Sequence, residues 1–330
     1  MNVRRLIPAA AIASATILGL TALTACSTSD AADKDGDGKL NVVASFYPMQ
    51  FLAQEIGGKH VSVDTLTKPG VEPHDLELSP KQTASLGEAD MILYLKGIQP
   101  AVDDAIGQSG VENTVDAATL TKLEKHGTGV GHDHGHGHEE EGHEEEGHEE
   151  EGHEGEAGAD PHVWLDPVKY AEVAEGVGKA MEKADPDHAA AYKKNTKDLV
   201  KKLDGLNTKF EDGLKDTKTK TFITTHSAFG YLAERYGLDQ EGIAGIDPES
   251  DPSPARIKEL QEIAKEDDVS TVFFETLASD KTAKTLATDA NLKTDVLDPL
   301  EGITDKSEGD DYIEVMESNL AALQKALGAK

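Results

Sequence analysis

The sequence has a single cysteine, Cys26, so it can build neither a disulfide framework nor a cysteine-ligated zinc module. Any metal site must therefore come from His, Asp and Glu. Basic residues are scarce as well: 32 Lys and Arg stand against 63 Asp and Glu, a formal net charge of −31. This balance excludes nucleic acid as a partner, because phosphate neutralisation needs a basic face, and it favours cations. Two hydrolytic signatures are missing. There is no GxSxG, and His143-Glu-Glu-Glu-Gly-His148 is one residue too long for HExxH and is broken by glycine. What remains is a polar chain of 330 residues, longer than one hydrophobic core fills, which predicts two lobes of roughly 100–200 residues.

The first 25 residues read as a secretory signal. Arg4 and Arg5 precede an apolar stretch from Leu6 to Leu23, and small residues lead into Cys26. Leu23-Thr24-Ala25-Cys26 resembles the bacterial lipobox, whose cysteine is acylated and becomes the mature N-terminus. More than one acyl chain gives durable anchoring, so the mature chain is expected to be tethered outside the cytoplasmic membrane. Residues 26–39 are small and polar and read as a flexible tether. Asp33, Asp35, Asp37 and Gly38 imitate the opening of an EF-hand loop, but its twelfth position is Ala44, where a bidentate glutamate is required.

From Leu40 onward short apolar runs alternate with helical patterns, which predicts βα units and parallel sheets. Expected strands are 40–44, 61–66, 91–95 and 113–117 in a lobe spanning 40–186, and 221–225, 242–246, 271–274 and 294–297 in a lobe spanning 217–330. Between the lobes, residues 187–216 carry Tyr192, Leu199, Leu203, Leu206, Phe210 and Leu214 at helical spacing. The fold expected is α/β, two parallel-sheet lobes joined by one long helix.

Residues 126–156 belong to neither core. They hold eight of the thirteen histidines, His126, His132, His134, His136, His138, His143, His148 and His153, among glycines and glutamates, and carry −12 of the net charge. With almost nothing apolar to offset the cost of ordering, the segment is expected to be a disordered loop. Its imidazoles and carboxylates form a low-specificity array for zinc, copper or nickel, an auxiliary set of weak sites.

Five histidines remain. His60 and His188 have polar surroundings and read as surface residues. His74 lies in a proline-punctuated segment after the second expected strand. His162 lies in Asp160-Pro-His-Val-Trp-Leu-Asp-Pro167, where Trp164 reads as packing against a site. His226 follows the run Thr221–Thr225. Ligands of open α/β sheets bind at the carboxyl ends of strands, which is where His74 and His226 fall. Asp298 and Glu275 hold equivalent positions on the last two strands. Three imidazoles and one carboxylate would make a tetrahedral zinc site in the cleft between the lobes.

Pro73-His74-Asp75 followed by Ser79-Pro80, the block around His162, Thr225-His226-Ser-Ala-Phe229 and Leu297-Asp-Pro-Leu300 occur in an order that resembles the solute-binding lipoproteins of zinc and manganese ATP-binding-cassette importers, in their zinc branch. The resemblance covers essentially the whole mature chain, with a departure at Leu78, where proline is frequent. It implies two lobes on a rigid helix with one zinc ion held between them, and it puts His74, His162, His226 and Asp298 at the ligand positions, with Glu275 beside them or as an alternative ligand. It also implies a membrane permease as partner, a monomer, and no enzymatic activity. Manganese-binding relatives tend to carry a carboxylate where this chain has His226; an imidazole there moves the preference toward zinc. Manganese or iron delivery is the competing expectation, and a zinc hydrolase with Glu275 as base a more distant one. Affinity is expected to weaken as pH falls through roughly 6, where free histidine protonates.

Overall fold

The computed structural model describes residues 38–126 and 159–330. The signal segment with Cys26, most of the tether, and seven of the eight histidines of the 126–156 stretch lie outside the described residues. Among the described residues no helix is long and apolar enough to cross a membrane.

Two four-stranded parallel sheets are built alike. In the first, β1 (Leu40–Ala44), β2 (Val61–Thr65), β3 (Met91–Tyr94) and β4 (Thr114–Asp116) lie in the order β2-β1-β3-β4. In the second, β5 (Thr221–Thr224), β6 (Asp239–Gly242), β7 (Thr271–Phe274) and β8 (Lys293–Val296) lie in the order β6-β5-β7-β8. Helices α1 (Tyr47–Gly57), α2 (Pro80–Glu88), α3 (Pro100–Ser109) and α4 (Pro167–Ala184) accompany the first sheet. Helices α6 (Gly230–Tyr236), α7 (Pro254–Glu266), α8 (Lys281–Asp289) and α9 (Tyr312–Leu327) accompany the second. The central strands β1, β3 and β7 are buried apolar runs, as parallel strands covered on both faces should be.

One strand differs from expectation. The sixth forms at Asp239–Gly242 rather than 242–246. It is an edge strand and tolerates the polar sequence Asp-Gln-Glu. The apolar residues after it leave the regular ladder: Ile243 and Ala244 still donate to Thr224 and Thr225 carbonyls, at 2.8 Å each, and the chain then turns so that the Ser227 amide reaches the Gly245 carbonyl.

The 26-residue helix α5 (Ala189–Leu214) spans about 39 Å at 1.5 Å per residue. Its six apolar positions named above are all at most 1% exposed, and it packs against α1, α4 and α9. The α4–α5 crossing is close at Gly178, where a Cβ would sit 2.2 Å from Thr196 Oγ1. One hydrophobic cluster runs from Leu40 through α5 to Leu327, so residues of both lobes share a core. The lobes are also clamped by polar contacts. The Arg235 guanidinium on α6 reaches Asp166 Oδ2 at 2.6 and 2.9 Å, while Asp166 Oδ1 caps the start of α4. Trp164, fully buried, donates its indole N–H to the Pro299 carbonyl at 2.7 Å.

Candidate metal centre

His74 sits in the irregular stretch between β2 and α2. The start of α2 is fixed by a capping box between Ser79 and Gln82 with Pro80 at the first turn, and Gln82 Nε2 returns to the Leu66 carbonyl at 2.7 Å. The segment carrying His74 is thereby closed at both ends. His162 immediately precedes a short 3-10 turn (Val163–Leu165), and Asp160 Oδ1 accepts both its backbone amide, at 3.0 Å, and its Nδ1, at 2.7 Å. His226 follows β5, its carbonyl held by Thr224 Oγ1 and Gln240 Nε2, and its Nδ1 lies 2.8 Å from Glu275 Oε1.

These three histidines, drawn from both lobes, converge on a carboxylate the sequence did not single out. Glu301 Oε1 lies 3.3 Å from His74 Nε2, 3.3 Å from His162 Nε2 and 3.4 Å from His226 Nε2. His162 and Glu301 are completely buried, His226 nearly so, and the His74 side chain is 10% exposed. The distances lie at or beyond the long edge of hydrogen bonding. His162 Nε2, His226 Nε2 and Glu301 Oε2 have no hydrogen-bond partner although they are buried, a costly arrangement for a site that holds only protons. A zinc tetrahedron with bonds of about 2.0–2.1 Å has ligand-to-ligand edges of about 3.3–3.4 Å, and the three separations from Glu301 to the imidazoles have this length.

Asp298 is not brought into this group. Its Oδ1 accepts the Leu300 amide at 2.8 Å, and its Oδ2 accepts Thr276 Oγ1 at 3.1 Å and Ser307 Oγ at 3.0 Å. Both oxygens are thus used to shape the loop after β8. The Asp298 turn is followed by Leu300 at φ 59°, a left-handed conformation costly for a non-glycine residue, and the reversal delivers Glu301 into the centre. Asp298 builds the turn and Glu301 enters the cluster. Rules that place ligands at strand ends point to the first of these residues and cannot distinguish one three positions further on. Glu275 lies behind His226, where its Oε1 also accepts the Thr225 hydroxyl. Asp160 plays the same part behind His162 and was likewise missed. The signal for it was available, since Asp-x-His places a carboxylate two residues before an imidazole.

The electrostatics follow from this packing. Burial opposes charge on His162, but the hydrogen bond and charge of Asp160, with Glu301, outweigh it and its pKa is raised. For His226 burial is outweighed by Glu275 and then Glu301, and the pKa lies well above the ordinary value. Burial alone would raise Glu301, yet the three surrounding imidazoles hold it well below the usual carboxylate range. Trp164 packs at 5.1 Å from the His162 ring. His60 and His188 stand apart at the α4–α5 junction, their rings 4.0 Å apart and tilted by 30°, with His188 Nδ1 2.7 Å from Asp185. His126, the one described member of the His-rich stretch, lies beside Glu124 and Glu234.

A sequence profile described as "Zinc-uptake complex component A periplasmic" matches residues 42–326. The chain belongs to this family. Within it, the chain is 39% identical over 310 residues to the "High-affinity zinc uptake system protein ZnuA" of Bacillus subtilis, covering 92% of each. It is 37% identical over 309 residues to the "Zinc-binding lipoprotein AdcA" of Streptococcus pneumoniae, covering 92% of this chain but 58% of that one; it therefore spans little more than half the length of AdcA. The fold superposes on the crystal structure of the Zn(II)-bound ZnuA-like domain of Streptococcus pneumoniae AdcA with a TM-score of 0.69 at 32% identity, covering 88% of this chain and 99% of that one.

Proposed function

We propose that this protein is an extracytoplasmic zinc receptor, lipid-anchored through Cys26 at the outer face of the cytoplasmic membrane, which delivers its ion as a monomer to the permease of an ATP-binding-cassette importer. His74, His162, His226 and Glu301 are the ligands in this reading. The observation that carries it is the single Glu301 oxygen standing 3.3–3.4 Å from three imidazole nitrogens, the edge lengths of a zinc tetrahedron. Asp160 and Glu275 accept the Nδ1–H of His162 and His226, fixing the tautomer that leaves Nε2 free for metal. The zinc-binding names of the relatives and the family's description as a periplasmic uptake component support both cargo and location.

Three nitrogen donors and one oxygen favour zinc over manganese, which prefers oxygen-rich sites, and a closed four-donor set differs from the non-haem iron sites that keep open positions. A hydrolase would need an open coordination position and a free base. Here four side chains close the site, and Glu275 already holds His226 and Thr225. The His-rich stretch acts in this proposal as a weak collector that raises the local zinc concentration near the cleft. Zinc-edge anomalous diffraction from metal-loaded crystals tests the reading. One strong peak equidistant from His74, His162, His226 and Glu301 is expected, with zinc displacing manganese in competition. The absence of a peak at that position, or a preference for manganese, would overturn it.

A further inference from the structure

A second group of ligand-type side chains lies on the other side of Asp160. Its Oδ1 faces His162 Nδ1 at 2.7 Å, while its Oδ2 faces His126 Nδ1, also at 2.7 Å. One buried carboxylate therefore orients two imidazoles. The Nε2 of His162 looks toward Glu301 at 3.3 Å, and the Nε2 of His126 looks toward Glu234 Oε2 at 2.9 Å. Glu124 completes this second group, whose three donor atoms all lie within 4.8 Å of one another.

The surroundings hold the His126 ring in place. It rests on Gly230, where a Cβ would come within 2.4 Å of the ring, and meets Tyr231 edge-on at 4.3 Å. The backbone is fixed too: the Asp160 amide donates to the Glu124 carbonyl at 2.9 Å, and the Tyr231 hydroxyl spans to the Asp160 carbonyl at 2.7 Å and accepts the Glu124 amide at 2.8 Å. Glu124 and His126 come from the segment after the first sheet and Glu234 from α6, so the group bridges the two lobes.

A carboxylate bonded to Nδ1 of a histidine whose Nε2 faces further carboxylates is the arrangement that prepares an imidazole for metal. We propose that Glu124, His126 and Glu234 form a second binding site for a borderline divalent ion such as zinc, at the start of the His/Glu-rich stretch and coupled to the buried centre through Asp160. It is the weaker of the two. Glu234 is 61% exposed, and the ammonium of Lys169, 3.4 Å from Glu124 Oε1, competes for one carboxylate. Three protein donors leave a coordination position for water or for the cargo of the neighbouring stretch. The inference goes beyond the function proposed above, since it does not require the buried centre to carry the same ion.

Zinc-edge anomalous diffraction on the zinc-loaded full mature chain, paired with zinc titration, tests it. Two peaks are expected, the second between His126 Nε2, Glu124 and Glu234. In Glu234→Ala the second peak should vanish while the first stays, and the weaker binding step should fall tenfold or more. In His226→Ala the first should be lost or depleted while the second persists, which separates the two proposals. The absence of density at His126 in the unaltered chain would overturn the second site, as would a peak of equal occupancy there in Glu234→Ala.

Discussion

The buried centre and the cluster at His126 share the carboxylate of Asp160, yet they sit in opposite settings. Around Glu301 the side chains are 0–10% exposed; around His126 exposure climbs from 15% to 61%. Burial leaves the first group with unpaired nitrogens that only a cation or protons can satisfy. Exposure lets water and Lys169 satisfy the second. The buried group joins three imidazoles to one carboxylate and the exposed group one imidazole to two carboxylates, so the two differ both in donors and in dielectric, and both differences make the buried group the tighter of the two proposed sites.

The sharpest way to break this contrast is to delete a member of the buried cluster. Glu301→Ala or His226→Ala should weaken tight zinc binding by more than 100-fold, beyond the 10–100-fold usual for an outer partner, as read by competition with a chelator. Asp160→Asn is expected next. It should cost about 10–100-fold at the tight step and lower the weaker step too, because one carboxylate serves both imidazoles; isothermal titration resolves the two.

The pH dependence separates the sites further. His162 and His226 have pKa values raised above 6.5, so zinc must displace protons still bound near neutrality. Tight affinity should climb with pH above 6.5, by up to about tenfold per unit for each imidazolium displaced, and level off above the folded pKa values. The metal-free protein should behave oppositely. The imidazolium contribution to its stability is fully present below 6.5 and is lost as pH rises through the raised values. That of Glu301, whose pKa is depressed, is present above 4.5 and lost as pH falls through its folded value. From this cluster, metal-free thermal stability should peak between these limits, and the increment added by zinc should grow at higher pH; thermal melts across pH with and without zinc check both signs.

Smaller effects test the supporting parts. Asp298→Ala removes the acceptor of the Leu300 amide and should destabilise the fold by about 1–3 kcal/mol, with a loss of zinc affinity smaller than for Glu301→Ala. If Asp298→Ala instead matched Glu301→Ala in affinity with unchanged stability, Asp298 would be a ligand after all. Removal of residues 130–156 should change the tight dissociation constant by less than about twofold while removing weak equivalents, measured by titration.

Much of this architecture was legible along the chain. The apolar runs at 40–44 and 271–274 are strands over the same residues, and the spacing from Tyr192 to Leu214 marks the buried face of α5, because burial forces a period that sequence records directly. The polar edge strand β6 lies before the apolar run at 242–246 rather than on it, since an edge needs no apolar signal. The three histidines stood out because imidazoles outside the His-rich stretch are few. The fourth position did not: Asp298 and Glu301 are both carboxylates after the last strand, and their roles are divided by a turn.

Residue type and order by themselves determined a two-lobed α/β chain, acidic, with one cysteine, and pointed to a histidine-based metal chemistry. Tertiary structure alone decided which carboxylate stands among the three histidines, which ones hold their Nδ1 atoms, and that His126 faces Glu234 across the lobes. Periodicity and donor type are local properties written residue by residue. The direction of a side chain and the company it keeps depend on backbone turns such as the one at Leu300, and on segments more than a hundred residues apart meeting in space.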